Sequence, residues 1–373
     1  MIIAKIALGL LGLGIVVFFH ELGHFLAARL VGIKVDAFSI GWGNPILKKK
    51  IGDVEYRIGM FPVGGYCKMK GETDYNEAWE NMRNGVKPEK GSYLAASPAA
   101  RILVSFAGPF FNLVLAVIIL SFIWGFGFNI NTYDNRIRLV SEANAEEIYP
   151  ADIAGLKTGD RIIRIGKKDI KYFYEIQENI GINAKETFPV TIDRDGEILD
   201  LSITPLLEKE TGRGIIGIRN YNEELISFRT PEYSIPAAIV KGTQEGYKTL
   251  VLSVKSLGLL FKGIDLTKAV SGPARITYMM GDFAAQGFEQ NPGTGLHIFF
   301  NFIAIISIAL GIMNMLPLPI LDGGMIILFL VEGIRRKPIS PKVISVFQTC
   351  GMVIIFGLMV FALFGDIMFF TRQ

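Results

Sequence analysis

The sequence predicts an α-helical polytopic membrane protein with four transmembrane helices, a re-entrant β-hairpin and one inserted, mostly β domain. Half of its 373 residues are hydrophobic, the mean hydropathy is +0.39, and 27 Phe accompany 12 Met. This composition suits contact with lipid better than the core of a soluble domain. The net charge of +3 provides no strongly basic surface for nucleic acid. Cys67 and Cys350 form no evenly spaced framework, so we expect two free thiols.

Four stretches are apolar over the roughly 20 residues that a helix needs to cross a bilayer. The first runs from the N-terminus to about Leu30 and lacks a small-residue cleavage pattern, so we interpret it as a retained span rather than a signal peptide. The others run from about Pro98 to Phe128, Gly295 to Leu316 and Val343 to Phe370.

Positive charge predicts the orientation of these spans, because cytoplasmic loops carry an excess of Lys and Arg. The first and third connections should therefore be cytoplasmic, and both termini and the long central segment should lie on the opposite side. The residues concerned are Lys34, Lys48, Lys49, Lys50, Arg57, Lys68, Lys70, Arg83, Lys87 and Lys90 in the first connection, and Arg335, Arg336, Lys337 and Lys342 in the third.

The chain is accordingly divided into seven predicted segments. Ile235 to Phe261 is apolar but interrupted by charges, which favours an amphipathic helix; if it were a fifth span, the C-terminal half would be inverted. The segments are a first transmembrane helix at 1–32, a hairpin loop at 33–97, a second transmembrane helix at 98–128, an extracytoplasmic β domain at 129–230, an amphipathic helical segment at 231–293, a third transmembrane helix at 294–332 and a fourth at 343–370.

The first connection has the alternation of a β-hairpin. Apolar residues alternate from Phe38 to Trp42 and again from Val54 to Met60, which predicts two strands closed through Lys48 to Asp53. Backbone at membrane depth must be covered by protein or line a cavity. We interpret the hairpin as a re-entrant wall of the active site whose free edge pairs with an extended substrate. The alternative is an interfacial hairpin that only anchors the loop.

The segment from about Ile137 to Pro205 has the pattern of a small β domain. A turn ending at Asp160 leads into a strand from Arg161 to Ile165, a short helix is expected from Tyr172 to Ile180, and Asp195-Gly196 suits a tight hairpin turn. Its Ala-Gly-Leu-x-x-Gly-Asp-x-Ile run resembles a PDZ domain, a fold that binds peptides at a sheet edge. The alternative is a plain β spacer.

The most informative motif is His20-Glu21-Leu22-Gly23-His24 in the first apolar stretch. Positions i and i+4 share one face of a helix, so both imidazoles can bind one Zn²⁺ ion while Glu21 acts as general base. The alternative is an ordinary helix with polar residues at the end that contacts water. It is disfavoured because ionisable groups inside spans are costly and usually functional.

A catalytic zinc ion usually has three protein ligands and a water, so the two histidines need a partner. His297, the only other histidine, should lie near the outer end of the third span. Asp322 is the better candidate, because Pro317 and Pro319 break the helix and place this carboxylate on the inner side with the His pair.

These motifs together resemble the site-2 proteases, a family of intramembrane zinc metalloproteases, and in particular the bacterial regulator-of-sigma-E-protease branch. The resemblance rests on the His20–His24 motif and on five other runs: Phe38-Ser39-Ile40-Gly41-Trp42-Gly43, Pro62-Val63-Gly64-Gly65-Tyr66-Cys67-Lys68-Met69, Gly108-Pro109-Phe110-Phe111-Asn112, Ser271-Gly272-Pro273, and Asn314 through Gly323.

The resemblance implies a function and a set of site residues. It implies regulated intramembrane proteolysis in the bacterial cytoplasmic (inner) membrane, as in a stress response. Substrates would be single-span membrane proteins, such as anti-sigma factors already trimmed by a site-1 protease, or signal-peptide remnants. The implied residues are His20, His24 and Asp322 as zinc ligands, Glu21 as the catalytic carboxylate, and Asn112, Asn314, Gly64 and Gly65 as substrate-binding residues.

Two features depart from that branch. The best-known members of the branch carry two PDZ domains in tandem, whereas this chain has room for one. Met325 stands where those members often have His after Asp-Gly-Gly. Two other classes are alternatives. A catalytically silent, PDZ-bearing receptor need not retain His, Glu, His and Asp together. A transporter would usually show internal repeats, and we see none.

Overall fold

The structure is a computed structural model that describes residues 2–72, 80, 84, 88–143, 147–208, 213–259 and 272–371. Arg83, Lys87, Phe261 and Ser271, which entered the sequence predictions, lie outside the described residues. The chain divides into two compact units. The first comprises Met1–Phe126, Tyr233–Leu250 and Ser271–Gln373, and the second comprises Gly127–Glu232 and Val251–Val270.

The described elements follow one another from α1 to α9 and β1 to β12. The helices are α1 (Ile2–Leu30), α2 (Pro98–Phe126), α3 (Pro150–Ile153), α4 (Phe173–Gly181), α5 (Ile235–Leu259), α6 (Pro273–Gln290), α7 (Pro292–Asn314), α8 (Asp322–Arg335) and α9 (Pro341–Thr371), with a 3₁₀ turn at Tyr93–Ala95. The strands are β1 (Val35–Ile51), β2 (Val54–Met69), β3 (Asn129–Thr132), β4 (Ile137–Leu139), β5 (Arg161–Ile165), β6 (Lys168–Asp169), β7 (Phe188–Arg194), β8 (Glu197–Ile203), β9 (Leu206–Leu207), β10 (Gly214–Ile215), β11 (Ile218–Asn220) and β12 (Ile226–Arg229).

Four of the described helices are long and apolar enough to cross a membrane, as the sequence predicts. They are Ile3–Leu30, Pro98–Phe126, Pro292–Asn314 and Lys342–Thr371. At a rise of about 1.5 Å per residue, each reaches the roughly 30 Å thickness of a hydrocarbon core. The protein is therefore a multi-pass membrane protein.

The predicted amphipathic segment at 231–293 contains two described helices. A proline at the first helical position is favourable because its missing N–H needs no partner there, so Pro273 begins a new helix, α6. This helix packs against the start of α1. A Cβ added at Gly281 would lie 1.8 Å from the carbonyl oxygen of Lys5, so the two backbones touch. The Lys5 ammonium also contacts the Asp282 carboxylate at 2.5 Å.

The predicted third transmembrane helix is interrupted. Helix α7 ends at Asn314 and α8 begins at Asp322. Pro317 and Pro319 lie between them, and proline both lacks the amide proton and disfavours helical geometry in the preceding residue. The break predicted from these prolines is thus present, and it leaves Asp322 at a helix N-terminus.

Strands β1 and β2 are so long and bent that they form four antiparallel limbs. The start of β1 lies between the two ends of β2, since Phe38 is opposite both Tyr56 and Cys67. The end of β1 pairs with the start of β2 up to Ile51 and Val54, so the turn itself is only Gly52-Asp53. Residues 65–68 form an outer limb, bordered on one side by residues 37–40.

One hydrophobic cluster joins these limbs to three helices. Phe25 and Ala28 of α1, Phe38 of β1, Val104 of α2 and Phe329 of α8 are all buried in it. Because these side chains share one core, close packing holds these elements against one another.

The second unit is built around a four-stranded antiparallel sheet in the order β6-β5-β7-β8, with α4 packed on it. Asp195 and Gly196 both have positive φ in the β7–β8 turn, as the sequence predicts for a tight hairpin. The buried Asp160 accepts two hydrogen bonds of 2.8 Å from the Arg194 guanidinium. The entry and exit strands, β3 and β12, pair with each other along their whole length.

Candidate metal centre

The two histidines of α1 project side by side toward α2. His24 donates from Nδ1 to the carbonyl oxygen of Val104 at 2.8 Å, which leaves its Nε2 lone pair free. The Nε2 atoms of His20 and His24 are 3.2 Å apart. Two imidazole nitrogens this close together are arranged so that a single cation could contact both of them.

Asp322 completes a triangle with them. Its carboxylate oxygens lie 3.3 Å from His20 Nε2 and 3.5 Å from His24 Nε2. Within the described residues, this trio is the one group whose ligand atoms could hold a metal ion. In a tetrahedral zinc site with bonds of about 2.0–2.1 Å, the edge between two ligand atoms is about 3.3 Å. The observed separations therefore match three corners of such a site.

Asn112 provides a second test of the metal assignment. Its amide nitrogen lies 3.2 Å from His20 Nδ1, and its Oδ1 is buried without a hydrogen-bond partner among the described residues. When a metal takes the Nε2 lone pair, Nδ1 carries the proton and must donate it. Turning the Asn112 amide then makes Oδ1 the acceptor, so one change satisfies both atoms.

The loop before Asp322 is held close by glycines and by one strained residue. A Cβ at Gly323 would lie 2.2 Å from the carbonyl oxygen of Met315, and a Cβ at Gly324 would lie 2.1 Å from that of Leu318. Ile320 has a φ of +79°, which a β-branched residue rarely adopts and which costs about 1–3 kcal/mol. This compact loop directs Asp322 back toward α1.

Gly108 allows α2 to approach both imidazoles. A Cβ at this position would lie 2.3 Å from His24 Nε2 and 2.8 Å from His20 Cε1. Any larger residue would therefore occupy space that the rings use. The sequence motif contains this glycine, but only the packing of α2 on α1 shows what it does.

Glu21 lies between the histidines and faces the hairpin. Its carboxylate accepts a hydrogen bond from the backbone N–H of Cys67 in the outer limb. Gly65 permits this contact, because a Cβ there would lie 3.1 Å from Glu21 Cγ. Gly64 has a φ of +82° and a Cβ there would lie 2.2 Å from Trp42 Nε1, so the indole covers it.

A cavity of about 490 Å³ brings most of the predicted site residues together. It is lined by His20, Glu21, His24, Gly65, Asn314 and Asp322, and the Asn314 amide nitrogen lies 3.3 Å from His20 Nε2. Asn112 lies behind His20 and Gly64 behind Trp42. His297 lies 17 residues before Asn314 on α7, or about 25 Å along the helix, and does not line the cavity.

The cavity also contains residues that the sequence reasoning missed. Glu72 lines it and accepts a hydrogen bond of 3.2 Å from the Met69 N–H. Protein atoms displace water around its carboxylate and raise its pKa, although the residue as a whole is exposed. Its position three residues after the Pro62–Met69 run could have indicated from the sequence that it lies near the site. Gln348 of α9 also lines the cavity, but no motif marks it.

Comparisons with known proteins identify the family of this chain. The sequence profile of peptidase family M50 matches residues 8–358. The chain is 32% identical to a candidate zinc metalloprotease of Treponema pallidum, with 98% of this chain and 99% of the relative covered. It is 32% identical to one of Campylobacter jejuni, with coverages of 94% and 90%, and 31% identical to metalloprotease MmpA of Caulobacter vibrioides, with coverages of 95% and 93%. The chain belongs to peptidase family M50.

Proposed function

We propose that this protein is a zinc metalloendopeptidase that cleaves single-span membrane proteins within the membrane. The observation that carries the proposal is the triangle of His20, His24 and Asp322, whose edges fit a tetrahedral zinc site, with Glu21 beside it. The names of the relatives from Treponema and Campylobacter support zinc as the metal.

The residues of the chain have separate tasks in this reaction. Zinc, when bound, polarises the scissile carbonyl and lowers the pKa of its water. Glu21 takes the proton of the attacking water and delivers it to the leaving amide nitrogen. The Cys67 N–H holds the Glu21 carboxylate in place, and the Val104 carbonyl and Asn112 fix the two imidazoles.

The position of the site supports cleavage at membrane depth. His20 lies 18 residues from the start of α1 and ten from its end, or about 27 Å and 15 Å along the axis. A substrate amide at that depth is hydrogen-bonded within its own helix, so the segment must unwind before attack. Residues that disfavour helix in the substrate should therefore promote cleavage.

The hairpin offers the unwound segment a partner. Residues 65–68 pair with residues 37–40 on one side, and Gly65 lines the cavity beside Glu21. An extended segment could pair with the other side of this limb and replace its lost helical hydrogen bonds. In this proposal the hairpin is re-entrant. The substrate-binding residues are Gly64, Gly65, Asn112 and Asn314.

We assign the substrates to the class of anti-sigma-factor-like proteins that have already lost their outer domain, with the protease in the bacterial inner membrane. The clusters around Lys49 and Arg336 then lie inside, and both termini and the second unit lie outside. We assign the second unit a PDZ-like fold and a role in access. The chain has no histidine or cysteine between Ile137 and Pro205, which supports assigning that unit no part in bond cleavage.

The proposed chemistry is tested by separating metal binding from turnover. Glu21→Gln should retain about one zinc per chain and lose cleavage of a single-span test substrate, whereas a His24→Ala, Asp322→Ala double variant should lose the metal. Glu89→Gln removes an exposed carboxylate and serves as the control. Stoichiometric zinc in the double variant, or full cleavage by Glu21→Gln, would refute the assignment and leave a silent receptor or a transporter.

The access role is tested by removing most of the second unit while keeping the paired strands β3 and β12. Thr132 and Ile226 are paired residues of β3 and β12, so residues 133–225 can be replaced by an Asn-Gly turn that keeps the ribbon closed. The variant should bind zinc, cut a short test substrate as before, and now also cut an untrimmed one. A variant that folds and binds zinc but cannot cut the short substrate would show that the unit takes part in cleavage or docking.

A further inference from the structure

A buried ion pair joins the start of α2 to the end of α8. Arg101 and Glu332 have side chains only 3% and 7% exposed, and Arg101 Nη2 donates to Glu332 Oε1. The guanidinium carbon lies 4.8 Å from the ring centre of Phe329 and 6.0 Å from that of Tyr93. Neither residue lines the metal cavity.

Stability alone does not explain this pair. Removing two charges from water is costly, and well-packed apolar residues in place of a buried ion pair are often as stable or more so. Here the Arg101 atoms Nε and Nη1 also have no hydrogen-bond partner among the described residues. The pair is therefore not arranged for the greatest stabilisation of the fold.

The two helices joined by this pair hold the metal ligands. On α2, the carbonyl of Val104 orients His24 three residues after Arg101. On α8, Asp322 lies ten residues before Glu332, or about 15 Å along the axis. Moving α8 along α2 by one residue would shift Asp322 by about 1.5 Å, whereas metal–ligand distances tolerate about 0.2 Å.

The apolar contacts between these two helices do not fix the register as strongly. A Cβ at Gly333 would meet Pro98 Cβ at 3.7 Å, an ordinary van der Waals distance, and Phe329 packs by apolar contact. Apolar contacts are non-directional, whereas a hydrogen-bonded ion pair between a planar guanidinium and a carboxylate has a preferred geometry.

We propose that Arg101 and Glu332 are positioning residues for the metal centre: their ion pair sets the axial register of α8 on α2 and so places Asp322 against His20 and His24. The inference rests on the proposed function, because it presupposes that these three residues bind the metal.

The test uses the full-length protein in detergent with Co²⁺ as the probe, since its absorption spectrum reports ligand geometry. An Arg101→Met, Glu332→Leu double variant replaces the pair by apolar side chains of similar length. It should unfold at a temperature close to that of the wild type, yet bind Co²⁺ about tenfold more weakly and with an altered spectrum. At saturating zinc, kcat should fall while KM changes little.

A matched control is Lys5→Met, Asp282→Leu, which removes the ion pair between α1 and α6. Its Co²⁺ affinity and spectrum should equal those of the wild type. The exchanged pair Arg101→Glu, Glu332→Arg should recover part of the lost affinity, which a role in bulk stability alone does not predict.

The outcomes separate the two proposals. If the wild type does not bind Co²⁺, the metal centre itself is wrong, and the positioning role falls with it. If the wild type binds Co²⁺ but the Arg101→Met, Glu332→Leu variant binds it equally well and with the same spectrum, only the positioning role is overturned. If that variant does not fold, Glu332→Gln takes its place, because it keeps the shape and one acceptor; a several-fold loss is expected, and wild-type binding overturns the inference.

Discussion

Gly108→Ala should remove the metal while leaving the fold in place. The added Cβ would lie 2.3 Å from His24 Nε2, 2.5 Å from His24 Cε1 and 2.8 Å from His20 Cε1. An ordinary contact begins near 3.4 Å, so the His24 ring must retreat by about 1 Å, or α2 must move away from α1. Either movement exceeds the roughly 0.2 Å tolerance of a metal–ligand bond.

The expected magnitude follows from these displacements. Changes that merely disturb the support of a ligand cost about 10- to 100-fold in metal affinity. Here a ligand itself is moved, so we expect a loss of at least about 100-fold, equivalent to about 2.7 kcal/mol. Alanine is a better helix former than glycine by about 1 kcal/mol, which offsets part of the crowding. The loss should therefore concern the metal far more than folding.

The assay is zinc content by elemental analysis together with affinity by competition with a chromophoric chelator. Gly125→Ala on the same helix is the control, because among the described residues a Cβ there meets Ala238 Cβ alone, at 3.6 Å. Wild-type zinc affinity in Gly108→Ala would show that α2 does not lie against the two rings, and the site geometry described above would be wrong.

Three further predictions concern other parts of the protein. Asn112→Leu should weaken zinc binding about 10- to 100-fold, because His20 loses the acceptor for Nδ1, while Asn112→Asp should lose less; equal affinity in both variants would contradict this role. Burial raises the pKa of the Cys67 thiol, so at neutral pH it should remain protonated and be alkylated by iodoacetamide only after unfolding, as mass spectrometry can show. In intact cells, an impermeant maleimide should label Ser202→Cys but not Lys49→Cys, both at exposed positions, and the reverse pattern would invert the proposed orientation.

Much of the site could be predicted because its parts are local in sequence. The spacing of His20 and His24 and the position of Glu21 follow from helix periodicity alone. The spans follow from runs of apolar residues, and the break before Asp322 follows from two prolines whose effect on the backbone does not depend on context. These features needed no knowledge of which elements touch.

The tertiary structure decided what lies around those residues. The carbonyl of Val104, the N–H of Cys67 and the side chain of Gln348 reach the cavity only because α2, the outer limb and α9 pack there. Backbone groups carry no sequence signature, since every residue has them. The double pairing of β1 with both ends of β2 was equally hidden, because alternation predicts strands but not their partners.

The sequence by itself predicted the spans, the proposed metal ligands and the proposed general base, because each depends on residue type and on spacing along one segment. Only the tertiary structure decided that Asp322 meets the histidines at tetrahedral distances, that Gly108 must lack a side chain, and that Arg101 faces Glu332 across 231 residues of chain. Those relations depend on how separate helices pack, and close packing is a property of the whole core rather than of any one segment.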